Sequence, residues 1–358
     1  MKCMNYFEIT GEPLEGTYRE SAKALLQEDG LTYETSAEHT YCLLDEYGVM
    51  IATASLDANV IKYVAVSHRH QGEGLTATLM THILSYAMAH GQRHLFLYTK
   101  PESVNYFKPF GFYEVQKASK VVLLENKRNG LATYIKDVQK ETQAYMEEQQ
   151  EDTTQIHTIG AIVANCNPFT NGHRYLIETA SQQCDLLHVF VVSSDKSMFP
   201  WKVRFDLVKK GCADLPHTVV HSTGDYLVSP ATFPTYFMKE NPQVNKLDAS
   251  CELDIKIFIN YFAKNLKINK RFVGTEPLDF TTAQYNKAMH KALPQHGVEF
   301  SEIPRKEFNS NPISASRVRK LIRDGKVEET EPLVPLSTYQ YLISTEGRAL
   351  FNEKLKEF

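Results

Sequence analysis

Apolar positions change their period along the chain. Between residues 18 and 27 they fall at helical spacing (Ala22, Leu25, Leu26). Short apolar runs follow at residues 40–44, 49–55 and 60–66, separated by the turn-forming Asp45-Glu46-Tyr47-Gly48 and Asp57-Ala58-Asn59. This predicts an antiparallel meander. The loop Ser67-His68-Arg69-His70-Gln71-Gly72-Glu73-Gly74 then opens into a helix over 75–90, with Leu75, Leu79, Ile83, Leu84 and Ala87 on its apolar face, and a strand over 94–98. From 126 to 152 the sequence turns polar and helical and ends in Glu147-Glu148-Gln149-Gln150-Glu151-Asp152, which reads as a solvated helical linker over 128–153. Beyond it the pattern alternates: strand 159–164, helix from 172, strand 186–192, helix 200–210, strand 218–222. Such alternation implies a parallel sheet with helices on both faces and ligands outside the carboxyl ends of the strands. The expected fold class is therefore α/β, with an N-terminal α+β domain (1–127), a Rossmann-like parallel-sheet domain (154–331) and a C-terminal helical tail (332–358) packed against the latter.

Composition narrows this picture little. A chain of 358 residues has room for more than one core. Hydrophobic content of 42%, charged content of 23% and a net charge of -4 describe an ordinary soluble protein, and the absence of a basic stripe argues against nucleic acid as the main partner. No signal-peptide core and no run of about 20 apolar residues is present, so a cytoplasmic protein without a membrane partner is expected. The six cysteines are scattered, with no Cys-x-x-Cys pair and no Cys/His group at zinc spacing. They read as free thiols, with Cys166 a small packing residue. His157, His188, His217 and His221 read as surface or core histidines, and no metal ligand is assigned.

Chemistry concentrates in three loops. Asn165-Cys166-Asn167-Pro168-Phe169-Thr170-Asn171-Gly172-His173 lies between a strand and a helix, where free N–H groups and the helix dipole favour an anion, and Gly172 allows backbone to come close to it. Downstream, Asn311-Pro312-Ile313-Ser314-Ala315-Ser316-Arg317-Val318-Arg319 offers Ser314 or Ser316 as an N-cap and places Arg319 one helical turn after Ser316. Together the two segments point to a nucleoside triphosphate. Lys196 is a further candidate for its phosphates, and Arg204 is either a second cation or structural. Gly274, Thr275 and Glu276 form a polar loop at the ligand edge, suited to adenine or ribose contacts or to simple turn chemistry. In the first domain, Arg69, Gly72 and Gly74 read either as a second phosphate cradle or as a glycine-rich turn. No general base stands out there: His68, His70 and Glu73 are loop residues, and Tyr98 and Tyr106 read equally well as half-buried aromatics.

Val64-Ala65-Val66, the glycine loop, the helix after it and Tyr106-Phe107-Lys108-Pro109-Phe110-Gly111-Phe112 resemble the GCN5-related acetyltransferases over residues 1–125. The resemblance implies an acetyltransferase-like domain whose loop holds the pyrophosphate of coenzyme A, with pantetheine running between two splayed strands. Thr170-Asn171-Gly172-His173 with Ile313 to Arg319 resembles the (T/H)xGH and ISSTxxR signatures of the nucleotidyltransferase superfamily, whose members attack the α-phosphate of ATP. Thr170 stands where many of them carry histidine, leaving one imidazole fewer. This domain order, with residues 165–177, Ala231-Thr232-Phe233-Pro234, Arg271 to Pro277 and Thr282-Ala283-Gln284-Tyr285-Asn286, is similar to the family of [citrate (pro-3S)-lyase] ligases over nearly the whole chain. That similarity implies ATP and acetate as substrates, acetyl-AMP as intermediate, and acetylation of the thiol of the dephospho-CoA-derived prosthetic group on the citrate lyase acyl carrier subunit. It assigns catalysis to Thr170, His173 and Arg319. Asn165, Asn167, Phe169, Gly172, Lys196, Gly274, Thr275, Glu276, Ser314 and Ser316 are assigned to the nucleotide, with Mg²⁺ bridging its phosphates, and Arg69, Gly72 and Gly74 to the CoA-like arm. Asp254 and the segment 226–236 are candidates for shaping the acetate pocket. The rival readings are an adenylyltransferase for a phosphorylated small molecule, which requires a second basic cluster, an acetyl-CoA-binding regulator that senses ATP, and an amine acetyltransferase.

Overall fold

In the computed structural model, which describes residues 6–31, 33, 37–150, 155–195, 197–232, 244–277 and 279–354, the chain divides after Gly130 into two units. The first is built on a seven-stranded sheet in the order β1-β2-β3-β4-β5-β7-β6. Its strands are β1 (Phe7–Gly11), β2 (His39–Leu44), β3 (Met50–Asp57), β4 (Val60–Val66), β5 (Phe96–Thr99), β6 (Tyr113–Lys117) and β7 (Val122–Glu125). The meander expected from the alternating runs is β2-β3-β4, antiparallel throughout. β1, β6 and β7 escape sequence reading because they are short and strongly polar or continuously apolar. Helix α1 (Gly16–Glu28) packs Ala22, Leu25 and Leu26 with Leu44, Met50 and Ala65, and α2 (Leu75–Ala89) packs Leu79, Met80, Ile83 and Ala87 with Leu43, Ile51, Ala54 and Leu97. A short α3 (Val104–Phe107) adds Val104 and Phe107 to the second cluster. Strands β4 and β5 pair in parallel only at Val60 with Phe96 and Ile61 with Leu97, so the rest of β4 is unpaired on that side and the two strands splay.

The second unit carries a parallel five-stranded sheet, β10-β9-β8-β11-β12, made of β8 (Ile159–Ala164), β9 (Leu186–Val191), β10 (Thr218–Ser222), β11 (Lys270–Gly274) and β12 (Glu299–Ile303). The first strand of this unit, β8, is central and strand order reverses beside it. The crevice at such a reversal is the place where doubly wound sheets bind ligands. Helices α5 (Asn171–Ser181) and α6 (Trp201–Gly211) cover one face through Ile177, Ala180, Leu207 and Val208, which pack on Ile162, Val189, Val191 and Phe272.

The segment expected as a solvated linker is instead part of this unit. Helix α4 (Gly130–Gln149) buries Leu131, Ile135, Val138 and Met146, while its charges take the solvent side. Tyr134 donates to the Ser222 carbonyl, the Tyr145 hydroxyl accepts from Thr218 N at 3.2 Å, and Glu141 meets His221 at 2.8 Å. A polar run hid an apolar stripe at i, i+4 and i+7. Helices α7 (Val244–Ile257), α8 (Lys264–Leu266) and α9 (Phe280–Ala292) follow, with a π-helical turn, Phe258–Ala263, between α7 and α8. A small hairpin, β13 (Glu307–Phe308) with β14 (Asn311–Pro312), leads into α10 (Ala315–Arg323). The expected single tail helix is two, α11 (Leu336–Ile343) and α12 (Thr345–Lys354). Leu342 and Phe351 share a core with Phe199, Ile313, Val318 and Ile322.

Candidate active site

Two helix N-termini meet at the ligand edge of the second unit. Thr170 caps α5: its Oγ1 accepts from His173 N at 3.4 Å and lies 2.9 Å from His173 Nδ1, while Thr170 N donates to the same Nδ1 at 3.1 Å. Ser314 caps α10 by accepting from Arg317 N at 3.2 Å. Gly172 brings the two together, since a Cβ placed on it would lie 2.9 Å from the Ile313 carbonyl oxygen. Its lack of a side chain therefore serves the contact between the two motifs, and not only the approach of an anion.

Because an amide N–H points at Nδ1, that nitrogen is the unprotonated one, and the neutral ring carries its proton on Nε2. The imidazole pKa is lowered to about 4, by burial first and then by the Arg305 and Arg319 cations. Arg319 donates from Nη2 to Ser316 Oγ at 2.9 Å and from Nη1 to the Asn167 carbonyl. Arg305, not singled out by sequence, follows the carboxyl end of β12. It donates to the Thr275 carbonyl at 2.7 Å and pairs with Glu276. Counting strand ends is the signal that finds it, because every ligand-edge residue of a parallel sheet follows a strand. His173, Ser316, Arg319 and Arg305 thus form one cationic, donor-rich group at two helix N-termini, an arrangement that favours a polyphosphate.

Several expected ligand residues take supporting places instead. Thr170 is 1% exposed and its hydroxyl is held in the cap beside His173 Nδ1, where it orients the ring. Phe169 is fully buried, its ring filling the space left by Gly211, and it anchors the loop in the core. Asn167 Oδ1 accepts from Phe199 N at 3.0 Å, and Asn165 bonds Ser197 at 3.3 Å. Arg204, 0% exposed, is structural: it donates to the carbonyls of Phe199, Asn165, Val192 and Ser194 and to Asn165 Oδ1, tying the loop after β8 to the loop after β9. Gly274 and Thr275 act through their carbonyls, which accept from Asn286 and Arg305 respectively. Lys196 and residues 233–236 lie outside the described residues. A cleft of about 360 Å³ lined by Glu276, Asn286, Lys287, His290, Phe300 and Glu302 flanks this edge.

In the first unit, Gly72 and Gly74 adopt φ of +85° and +81°, values that L side chains rarely take, and Gly74 precedes α2 as its N-cap. Open space lies where a Cβ would stand on either. Arg69 sits exposed in the preceding short 3₁₀ turn. Beyond these loops, burial raises the thiol pKa of Cys42 and Cys184 to about 11 and of Cys212 and Cys251 to about 12, and pushes Cys166 further up, as inert packing thiols require. Among the described residues no cluster of three or more His, Cys, Asp or Glu side chains could hold a metal, and no helix is long and apolar enough to cross a membrane.

Residues 159–342 match the family described as Citrate lyase ligase C-terminal domain, and residues 5–112 match the Acetyltransferase (GNAT) family. The chain is 40% identical over 323 residues to a [Citrate [pro-3S]-lyase] ligase of Escherichia coli (strain K12), covering 88% of each chain. It is 37% identical over 331 residues to one of Klebsiella pneumoniae, covering 91% of this chain and 92% of the relative, and 37% identical over 326 residues to one of Haemophilus influenzae, covering 89% and 93%.

Proposed function

The chain belongs to the citrate lyase ligase family and is a ligase, and on that premise we propose that it activates acetate with ATP and passes the acetyl group to a thiol on the citrate lyase acyl carrier subunit. The observation that carries the first step is the convergence of the α5 and α10 N-termini, with Gly172 against Ile313, around His173, Ser316, Arg319 and Arg305. An acetate oxygen bonds to the α-phosphorus of ATP, the bond from that phosphorus to the bridging oxygen breaks, and pyrophosphate leaves. Such transfer needs positioning and charge stabilisation more than covalent help. His173, neutral with its proton on Nε2, donates to an α-phosphoryl oxygen, and Thr170 holds the ring in that orientation. Ser316, Arg319 and Arg305 neutralise the departing pyrophosphate, with Mg²⁺ entering as part of the nucleotide substrate. The thiolate then attacks the carbonyl carbon of acetyl-AMP, the carbonyl–oxygen bond breaks, and AMP leaves.

The acceptor thiol belongs in this reading to a CoA-like arm, which the splayed β4 and β5 and the Arg69, Gly72 and Gly74 loop are suited to hold. Exchange of labelled pyrophosphate into ATP tests the first step. Acetate-dependent exchange is expected. Exchange that ignores acetate and requires a phosphorylated acceptor would instead identify an adenylyltransferase.

A further inference from the structure

On the sheet face covered by α7 and α9 lies a buried polar cluster that the steps above do not use. Arg271, on β11, is 2% exposed, and its Nε and Nη1 have no hydrogen-bond partner. Buried polar groups are almost always paired, and a buried cation with free donors is the costlier exception. Its neighbours do not supply the missing acceptor. Tyr285 and the fully buried Asp254 act on it electrostatically, yet the Asp254 carboxylate is already held by Val228 N at 2.8 Å, Thr232 Oγ1 at 2.9 Å and Tyr285 OH at 2.5 Å. The remaining wall is aromatic, with Arg271 Cζ 4.8 Å from the Phe258 ring centroid.

Three features connect this cluster to the site. β11 is hydrogen-bonded to the central β8, with Arg271 level with Ala161. Arg271 is the second residue of β11, and the segment from Thr223 to Thr232, which leaves the carboxyl end of β10, is fastened to Asp254 by Val228 and Thr232 and so ties the cluster to the ligand edge. Phe258 opens the π-helical turn, and such turns recur at functional sites in helices. We propose that Arg271 receives the carboxylate of the acid being activated, a small monocarboxylate such as acetate, while Phe258 limits the length of its alkyl group. Two unbonded guanidinium donors beside one aromatic ring match a single carboxylate with a short tail. The assignment rests on the acid-activation reading above.

The test uses the full chain with Arg271→Lys, Arg271→Met and Phe258→Ala, each first shown to be folded by a MgATP-induced rise in melting temperature. The two Arg271 variants should raise the KM for acetate in pyrophosphate exchange by tenfold or more with the KM for ATP changed less than about twofold, and acetate should no longer shift their melting temperature. Phe258→Ala leaves the cation in place and should raise kcat/KM for propionate relative to acetate by about tenfold. Unchanged acetate KM in folded Arg271 variants, equal rises in both KM values, or unaltered acid selectivity in Phe258→Ala would each overturn the assignment. Wild-type protein that neither exchanges in the presence of acetate nor is stabilised by it would overturn the acid-activation reading itself, and the assignment with it.

Discussion

His173 enters the site as a neutral imidazole because burial disfavours its charged form, because two guanidinium groups oppose a charge on the ring, and because one ring nitrogen is consumed by the cap it forms with Thr170. Removing its Nε2–H donor in His173→Ala, which carries no side-chain N–H, should lower the rate of pyrophosphate exchange about 10²–10³-fold with a smaller change in the KM for ATP, as loss of a donor used in the transition state does. Its protonation has a signed consequence for stability. The pKa falls from 6.5 when unfolded to about 4 when folded, so between those values the unfolded chain binds more protons and stability rises with pH. Wild-type melting temperature should therefore drop as pH falls through that window, and His173→Gln should drop less. Gly172→Ala is expected to push α5 from the Ile313 carbonyl and cut exchange tenfold or more, since displacements of about 1 Å at reacting groups cost up to ~10²-fold. At this scale the sequence was readable where a motif names atoms, as for His173, Ser316 and Arg319. It was unreadable where burial decides: Thr170, Phe169 and Asn167 occupy the same motif yet face the core or the backbone. Arg271 and Arg305 carry no local pattern, because the neighbours of Arg271 come from α7, α9 and the π-helical turn and those of Arg305 from the loop after β11.

Among elements, the helices that support the site are as consequential as those that bear it. The N-terminus of α10 is set by a core to which α11 and α12 contribute Leu342 and Phe351, far along the chain from the loop after β8. Leu342→Ala, at a position with no exposure, should destabilise the second unit by about 2–5 kcal/mol in a denaturant titration and weaken exchange through α10, whose Val318 and Ile322 share its core. Strands β8 and β10 match their expected bounds residue for residue, and β8, at the centre of the parallel sheet, leaves the continuous apolar run of a strand covered on both faces. Helix α4 was legible as a helix but not as a packed one. Its apolar residues are interleaved with charged and amide side chains, and only their spacing reveals the stripe.

For the molecule as a whole, the two units carry different halves of the proposed reaction, and this separates their mutational signatures. Replacing Gly72 and Gly74 by valine forces L side chains into left-handed backbone, and should weaken acetyl transfer to the carrier while leaving acetate-dependent exchange intact. Equal loss in both assays, or in neither, would refute that division. The sharing of one core by Phe199, Val318, Leu342 and Phe351 also bears on synthesis. Domains fold as they emerge from the ribosome. The first unit has all its strands once residue 125 has emerged, whereas the phosphate-binding end of α10 is held only after Phe351 has been made. A nascent or prematurely terminated chain could then carry a finished first unit while remaining unable to spend ATP.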